Sequence, residues 1–356
     1  MGTSYALRSS ARRTALTLLK SCGAFRLIEA SSWRRQRLLI LCYHGISLED
    51  EHEWRPALYL RPAQFERRLE ILRRGNYAVL PLGEALDRLR NGELPPRSVA
   101  ITFDDGTYDF YRQAHPRLKQ FGFPATVYLT SYYSALPCPV FKLICSYMIW
   151  KVRGPGTVDL RELGVNQPVP MQSTQAREEA ANEIVKWADG QDLKGVQKDA
   201  IAARLAELLK VDYKELVGKR ILQLINAQEV RELANAGVDF QLHTHRHRTP
   251  RNEELFRREI RDNRERIAET IPGARRHFCY PSGVYRPEFL QWLAEEGIVS
   301  ATTCDTGMAT VHSNPLLLPR LVDTTGRSEL EFESWINGVG HFLSSKKRAT
   351  PVVGVD

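Results

Sequence analysis

Short apolar segments typical of β-strands alternate with amphipathic segments typical of helices along most of this chain. Strands joined through helices form parallel pairs, because each helix carries the chain back to the edge where the previous strand began. About seven or eight such units predict an α/β fold, a distorted (β/α) barrel whose strands close or nearly close into a ring. The predicted strands cover residues 38–44, 76–80, 98–105, 124–130, 238–243, 276–281, 298–303 and 316–322.

One predicted helix has both of its ends marked in the sequence. Asn226 is a favoured N-cap residue, and Glu229, three residues later, completes a capping box. Val230 and Leu233 give this helix a buried face, and Gly237 ends it.

Interruptions of the alternation divide the chain into segments. Residues 1–37 form a basic leader, residues 38–335 the barrel, and residues 336–356 a C-terminal tail. A polar, helix-rich stretch, about residues 137–220, predicts a helical insertion within the barrel.

The positive charge of the chain belongs to the leader. The net charge is +8, and residues 1–37 contain eight Lys or Arg residues against the single acid Glu29. The rest of the chain is therefore close to neutral, which argues against a nucleic-acid partner. Lys20 interrupts the apolar part of the leader, so a secretory signal is not indicated. Two interpretations stay open: a helix that lies on anionic lipid, giving a membrane-associated protein, or a solvated helix packed on the barrel.

The cysteines bear on the compartment. The six of them include no CxxC pair and lie in apolar, strand-like surroundings. This predicts buried, reduced thiols and a cytoplasmic protein, because structural disulfides belong to oxidising compartments.

The active residues of a (β/α) barrel lie at the C-terminal ends of its strands. Four predicted strands of this chain direct acids, bases or metal ligands toward one mouth, which predicts a functional site there. The residues are His44, Asp104, Asp105, His243, His247 and Arg320.

The sequence TFDDG, residues 102–106, ends one of these strands with two adjacent carboxylates. One interpretation is an Asp-rich turn in which one side chain caps the next helix. The other is a division of labour, in which one Asp binds a metal and the other acts as a base. Because adjacent strand residues point to opposite faces, the second interpretation requires the chain to bend after Phe103.

The sequence HTHRH, residues 243–247, follows another predicted strand. His243 and His247 converge on one ion such as Zn²⁺ if the backbone coils after the strand, whereas His245 points elsewhere. The alternative is a polar loop of solvated His and Arg side chains. That alternative does not explain why the Asp and His clusters both fall at strand ends.

These segments resemble the polysaccharide deacetylases, also known as carbohydrate esterase family four. TFDDG matches the first motif of the family, and HTHRH matches the second, H-[ST]-x-x-H. The flanking segments LCYHGIS, LPPRSVAITFDDG, GFPATVYLT, FCYPSG and LLLPRLV resemble the branch that deacetylates exopolysaccharides or related glycans. The resemblance covers about residues 38–335. It implies a metal-dependent hydrolase that removes N-acetyl groups from sugars of a polysaccharide or a lipid-linked glycan.

The site residues of the family map onto positions of this chain. The resemblance implies that Asp105, His243 and His247 hold a divalent metal, usually zinc, and that Asp104 is the catalytic base. Three protein ligands leave positions open for a water and the substrate carbonyl oxygen. The backbone N–H of Ser282, after the proline of the third motif, would bind the oxyanion.

The chain departs from the family pattern at two places. Cys279 replaces the Arg that pairs with the base in the common third motif, and LLLPRLV lacks the usual His general acid. We predict that Arg320 supplies the missing cation to Asp104. His44 is predicted to protonate the leaving amine, with a structural strand-end His as the alternative.

Three hypotheses about function follow. The first is a carbohydrate N-deacetylase that acts on an N-acetylated glycan. The second is a catalytically impaired, glycan-binding member of the same fold, suggested by the altered motifs. The third is an amidohydrolase-type metal hydrolase, in which His243 and His245 form an HxH metal pair.

Overall fold

Seven parallel strands close into a ring in the computed structural model, which describes the backbone of residues 2–343 and the side chains of residues 11–343. The strands follow one another around the ring in chain order, and the first pairs with both the second and the last. This confirms the predicted (β/α) barrel, with seven strands. They are β1 Leu39–Tyr43, β2 Ser98–Asp105, β3 Thr126–Leu129, β4 Asp239–Leu242, β5 His277–Cys279, β6 Ser300–Thr306 and β7 Leu318–Val322.

The strand predicted at residues 76–80 is not part of the ring. Only Ala78–Val79 is extended, and it pairs with the first two residues of β2, Ser98 and Val99. Strand β3 pairs with β2 only from Thr102 onward. Ala78–Val79 therefore fills the edge of β2 that β3 leaves uncovered.

Helices on the outside of the ring connect the strands, because each parallel pair needs a return connection. The connecting and final helices are Pro62–Arg74, Leu82–Asn91, Phe110–Ala114 continuing into His115–Phe121, Ala227–Asn235, Glu253–Ala268, Pro287–Glu295, Glu329–Asn337 and Val339–Leu343. Short elements around the mouth are Gly45–Ile46 paired with Tyr59–Leu60, Glu51–Trp54, Ser131–Ser134 and the 3-10 turn Pro281–Gly283. The predicted capping box of Asn226 and Glu229 is confirmed.

The insertion between β3 and β4 has its own hydrophobic core, which includes Ile144, Met148 and Ile184. Its elements are helices Phe141–Lys151, Thr174–Gly190, Val196–Leu209 and Tyr213–Gly218, the 3-10 turn Arg161–Leu163 and the hairpin Thr157–Val158 with Val169–Pro170. The two ends of the insertion are in contact, and the backbone N–H of Val140 donates a hydrogen bond to the carbonyl oxygen of Leu222 at 2.9 Å.

The insertion packs on the segment that follows β1. The rings of Trp54 and Tyr147 lie 5.4 Å apart, and Tyr147 donates a hydrogen bond to Asp50. Lys151 Nζ donates to the same carboxylate at 2.8 Å. The insertion and the segment at residues 48–59 thus form one side of the barrel mouth.

The leader is helical and packs on the last barrel helices. It consists of Gly2–Ser21, Ala24–Ala30 and Ser32–Arg35. Leu16, Phe25 and Val339 form a small apolar cluster at this contact. Two ion pairs add to the contact, Arg12 with Glu331 and Lys20 with Glu333. Part of the positive charge of the leader is therefore balanced by the barrel. Over residues 2–343, no helix has both the length and the apolar character needed to cross a bilayer.

The last residues of the leader lie under the barrel. Arg34 is fully buried and donates to the carbonyl oxygens of Ile336, Arg37 and Ser98 at 2.9, 2.8 and 3.2 Å. Because Ser98 begins β2, this contact lies at the N-terminal ends of the strands, opposite the mouth. Burial lowers the pKa of Arg34 to about 10, against the opposing effects of Tyr77 and Glu29.

The predicted tail begins inside a helix, because residue 336 belongs to Glu329–Asn337 and a further helix extends to Leu343. Residues 344–356 lie outside the described residues. All six cysteines are free thiols. The prediction that they are buried is wrong for Cys22, which is exposed on the leader.

Candidate metal centre

The two carboxylates at the end of β2 lie in different surroundings. Asp104 is buried in the barrel interior, with 2% of its surface exposed. Asp105 has a left-handed backbone with φ 70°, and Gly106 follows at φ 80°. Because of this bend, the side chain of Asp105 does not follow the alternation of the strand and points toward the barrel mouth. The division of labour, in which one Asp binds a metal and the other acts as a base, requires such a bend. Gly106 also lacks space for a side chain, because a Cβ there would lie 2.4 Å from Leu129.

Asp105, His243 and His247 converge on one point. Oδ1 of Asp105 lies 3.2 Å from Nε2 of His243 and 3.1 Å from Nε2 of His247. That oxygen is nevertheless buried without a hydrogen-bond partner among the described residues. Two imidazole nitrogens that lie within ion-pair distance of one carboxylate oxygen fit a shared divalent cation. The three residues form one of the groups whose ligand atoms all lie within 4.8 Å of one another.

The loop at residues 243–248 uses strained backbone to bring the two imidazoles together. Thr244 has φ 61° and His247 has φ 55°, a region that residues other than Gly rarely adopt. The Thr244 hydroxyl accepts a hydrogen bond from the backbone N–H of Arg248 at 3.1 Å, which closes the loop. The rings of His243 and His247 then lie 5.0 Å apart.

His245 points away from this cluster. Its Nδ1 lies 2.9 Å from the hydroxyl of Ser131, and its ring packs edge-on against Tyr132. No group of three candidate ligands within the described part of the chain includes His245. The structure therefore gives the HxH pair of the amidohydrolase hypothesis no common metal position.

The orientation of His243 is fixed by the neighbouring strand. Its Nδ1 lies 2.8 Å from the carbonyl oxygen of Cys279, at the end of β5. A ring nitrogen that donates to a carbonyl leaves the other nitrogen free to bind a metal. The Nε2 atom, which faces Asp105, is that other nitrogen.

Asp104 is paired with Arg320, which comes from the middle of β7. The guanidinium donates to both carboxylate oxygens, at 2.7 and 2.8 Å, and to the carbonyl oxygen of Thr303 at 2.9 Å. The thiols of Cys42 and Cys279 lie 3.5 and 3.4 Å from Oδ2 of Asp104. Burial acts to raise the pKa of Asp104, but the charge and hydrogen bonds of Arg320 outweigh it and hold that pKa well below its usual range. Asp104 therefore stays ionised at neutral pH.

His44 lies beside this pair at the end of β1. Its Nε2 is 3.8 Å from Oδ2 of Asp104, and its Nδ1 is buried with no hydrogen-bond partner in the described structure. Burial lowers the pKa of His44, although the carboxylates of Asp104 and Asp105 oppose this effect. The imidazole is therefore neutral at neutral pH, and its role as the general acid stays a prediction.

Ser282 lies in the 3-10 turn that follows β5. It is exposed and left-handed, with φ 54° and ψ 15°. Gly283 packs closely on Cys304 of β6, where a Cβ would lie 2.8 Å from the Cys304 Cβ. The turn is thus held between two strand ends, and the oxyanion role of Ser282 stays a prediction.

Sequence reasoning missed two polar residues on helix Glu253–Ala268, Glu259 and Asn263, which contact the loop at residues 243–248. A signal was present, because the buried face of this helix is apolar at Phe256, Ile260 and Ile267 and polar at Asn263. A polar residue within an apolar helical stripe needs hydrogen-bond partners. The contact of the buried Cys42 thiol with Asp104 was also not predicted, because a buried Cys usually packs as a small apolar residue.

Comparison with known proteins finds that part of this chain is similar in sequence to one family. The family model described as polysaccharide deacetylase matches residues 91–139 and 212–301. The unmatched gap contains most of the insertion. YxkH of Bacillus subtilis, provisionally named as a polysaccharide deacetylase, is 33% identical over 106 residues, 28% of this chain and 36% of that protein. The poly-beta-1,6-N-acetyl-D-glucosamine N-deacetylase of Escherichia coli is 27% identical over 100 residues, 28% of this chain and 15% of that protein.

Solved structures agree with the fold. The Streptococcus pyogenes deacetylase PplD, determined with acetate, superposes with a TM-score of 0.54 at 20% identity. The superposition covers 82% of this chain and 93% of that one. At this level of identity the likeness concerns the barrel alone.

Proposed function

We propose that this chain is a metal-dependent hydrolase that removes N-acetyl groups from sugar residues of a polysaccharide or lipid-linked glycan, because the polysaccharide deacetylase family model matches two parts of it. The observation that carries the proposal is the convergence of Asp105, His243 and His247 beside the buried pair of Asp104 and Arg320. Three protein ligands next to an ionised carboxylate are the parts that metal-assisted amide hydrolysis needs.

Zinc is the metal that we propose, because nitrogen and carboxylate donors in a three-ligand site suit it. Bound there, it would lower the pKa of a coordinated water and polarise the substrate carbonyl. Asp105, His243 and His247 would hold it.

The residues of the chain supply the proton transfers. Asp104 takes the proton of the attacking water, and Arg320 keeps Asp104 ionised and in place for this step. Since its pKa is low, Asp104 gives the proton up readily. His44, 3.8 Å away and neutral, receives it and passes it to the leaving amine. The backbone N–H of Ser282 donates to the oxygen that gains negative charge.

The name of the E. coli relative suggests a first substrate, an oligomer of β-1,6-linked N-acetylglucosamine. The test measures acetate release from this oligomer and from a panel of other N-acetylated glycans, with zinc and after chelation. Zinc-dependent release supports the proposal. Zinc and glycan binding without release from any glycan favours the glycan-binding alternative.

Replacing Arg320 by Met should shift the acidic limb of the pH–activity profile to higher pH. Arg320 now holds the pKa of Asp104 below its usual range, and without it burial raises that pKa, so the base is lost as its proton returns at a higher pH. Profiles of kcat/KM for wild type, Arg320→Met and the charge-retaining Arg320→Lys check this. Arg320→Lys should shift less. An unshifted limb with full activity in Arg320→Met would mean that Asp104 does not depend on Arg320.

We also propose that the leader side of the molecule binds anionic membranes. Among the side chains of residues 11–343, four of the seven exposed large apolar ones lie in the leader or the last helix, and they are Leu18, Leu27, Phe342 and Leu343. Exposed Arg13, Arg26 and Arg35 provide charge complementary to anionic lipid. The protein should therefore sediment with phosphatidylglycerol vesicles more than with phosphatidylcholine vesicles, and Leu27→Glu should reduce this binding. Equal sedimentation with both lipids, or none, would exclude the proposal.

A further inference from the structure

We infer that Glu259 and Asn263 are positioning residues that set the affinity of the metal centre, by holding the loop at residues 243–248 from helix Glu253–Ala268. The inference rests on the proposed function, because it assumes that Asp105, His243 and His247 bind a metal. Glu259 and Asn263 are four residues apart, so both face the same neighbour.

Glu259 is the anchor of the loop. Its carboxylate is 1% exposed and accepts the backbone N–H of Arg246 at 2.7 Å. It also accepts from the side chains of Arg246 and Arg248, at 3.0 and 2.7 Å. The backbone carbonyl oxygen of Glu259 accepts the N–H of His245 at 3.0 Å. Three residues of the loop are thus tied to one residue of the helix.

The same contacts balance charge next to the metal ligands. Arg246 and Arg248 lie on either side of His247 in the sequence, so two permanent cations flank a ligand of a divalent cation. Like charges repel one another, and the exposure of these two side chains, 35% for Arg246 and 56% for Arg248, weakens the repulsion without removing it. The carboxylate of Glu259 pairs with both guanidinium groups. It therefore reduces the repulsion that a metal would meet.

Asn263 positions His243. Its side-chain oxygen accepts the backbone N–H of His243 at 3.0 Å. Its amide nitrogen donates to the carbonyl oxygen of Leu129 and the hydroxyl of Ser131, at 2.9 and 2.8 Å. Asn263 is fully buried, so these bonds have no competition from water. They link the ends of β3 and β4 at the point where the first His ligand leaves its strand.

The loop needs this support because its backbone is strained. Thr244 and His247 are both left-handed. Such conformations persist only where the surroundings over-determine them. A loop released from Glu259 and Asn263 would relax, and His243 and His247 would no longer be held together before the metal binds. Preorganisation of this kind contributes directly to metal affinity.

The test measures the zinc affinity of the full chain by competition with a chromophoric chelator. Glu259→Gln and Asn263→Ala should each bind zinc on the order of 10–100-fold more weakly than wild type. The matched control is Glu253→Gln on the same helix, where Glu253 pairs with Arg257 at the surface. It should bind as wild type does. Wild-type affinity in both Glu259→Gln and Asn263→Ala would overturn the inference.

A further set of variants separates the charge balance that Glu259 provides from its positioning of the loop. Glu259→Gln combined with Arg246→Gln and Arg248→Gln removes the cations that Glu259 balances, and should recover the part of the lost affinity that comes from charge. If Glu259→Gln does not fold, Asn263→Ala alone tests the positioning of the loop, because Asn263 contacts it without a charge. A zinc affinity in the triple variant that is no higher than in Glu259→Gln would overturn the role in charge balance. A wild type that binds no zinc would instead refute the proposed function.

Discussion

A His243→Ala variant should lose its bound zinc and, with it, all measurable deacetylation. His243 is one of the three residues that we propose as ligands, and two remaining donors are too few to hold the ion in a three-ligand site. His247→Ala should behave in the same way. The measurement is the metal content of each purified variant after desalting, by elemental analysis, together with acetate release.

His245→Ala is the matched control for this experiment. His245 lies two residues from either ligand but bonds to Ser131 instead of the cluster. The variant should keep its zinc. Full metal content and full activity in His243→Ala or His247→Ala would remove these residues from the site. A loss at His245 equal to that at His243 would favour the amidohydrolase arrangement.

The second large effect is expected at the base. Asp104→Asn should keep zinc but lower kcat by about a hundredfold or more, the usual range for loss of a general base. Asp105→Asn should lose zinc as well as activity, because its carboxylate faces the two imidazoles. Metal content measured in parallel with kcat separates the two variants. If both retained or both lost the metal, the division of labour between the carboxylates would be wrong.

The Asp104→Asn experiment needs one stability control. The variant leaves Arg320 buried without its counter-charge, and breaking a buried pair in this way costs about 3–5 kcal/mol. The unfolding midpoint of the variant therefore has to be measured first, and kcat compared well below that temperature. An unfolded variant would lose kcat without reporting on the base.

The barrel could be predicted from the sequence because alternation is a local signal that recurs along the chain. The number of strands could not. Residues 76–80 have the composition of a strand, but their role depends on how much of the β2 edge is free. Strand β3 begins to pair at Thr102, and only the short edge at Ser98 and Val99 remains. The free length of this edge depends on how the ring closes, so it cannot be predicted from residues 76–80 alone.

Some residues of the candidate site could likewise be predicted from the sequence, and others could not. The spacing of HTHRH indicated that His243 and His247 converge, whereas the assignment of Asp105 to the same metal came from the resemblance to the deacetylase family. The barrel prediction placed Arg320 near the mouth, but its pairing with Asp104, 216 positions away, was inferred only from the missing Arg at Cys279. The support from Glu259 depends on how a helix packs against a loop. Contacts of this kind follow from the tertiary arrangement, which no single segment records.

The hydrogen bond between Val140 and Leu222, at the two ends of the insertion, has a consequence for how the insertion can evolve. A segment whose ends are already hydrogen-bonded presents to the barrel the geometry of a short turn, whatever its length. Its sequence and size can therefore drift, or be exchanged in the laboratory, without changing the register of β3 and β4. The contact of Tyr147 with Trp54 limits this freedom, because the exchanged part must bring a matching partner for the segment after β1. We expect these two segments to be inherited as a unit that reshapes the barrel mouth while the candidate site residues at the strand ends stay in place.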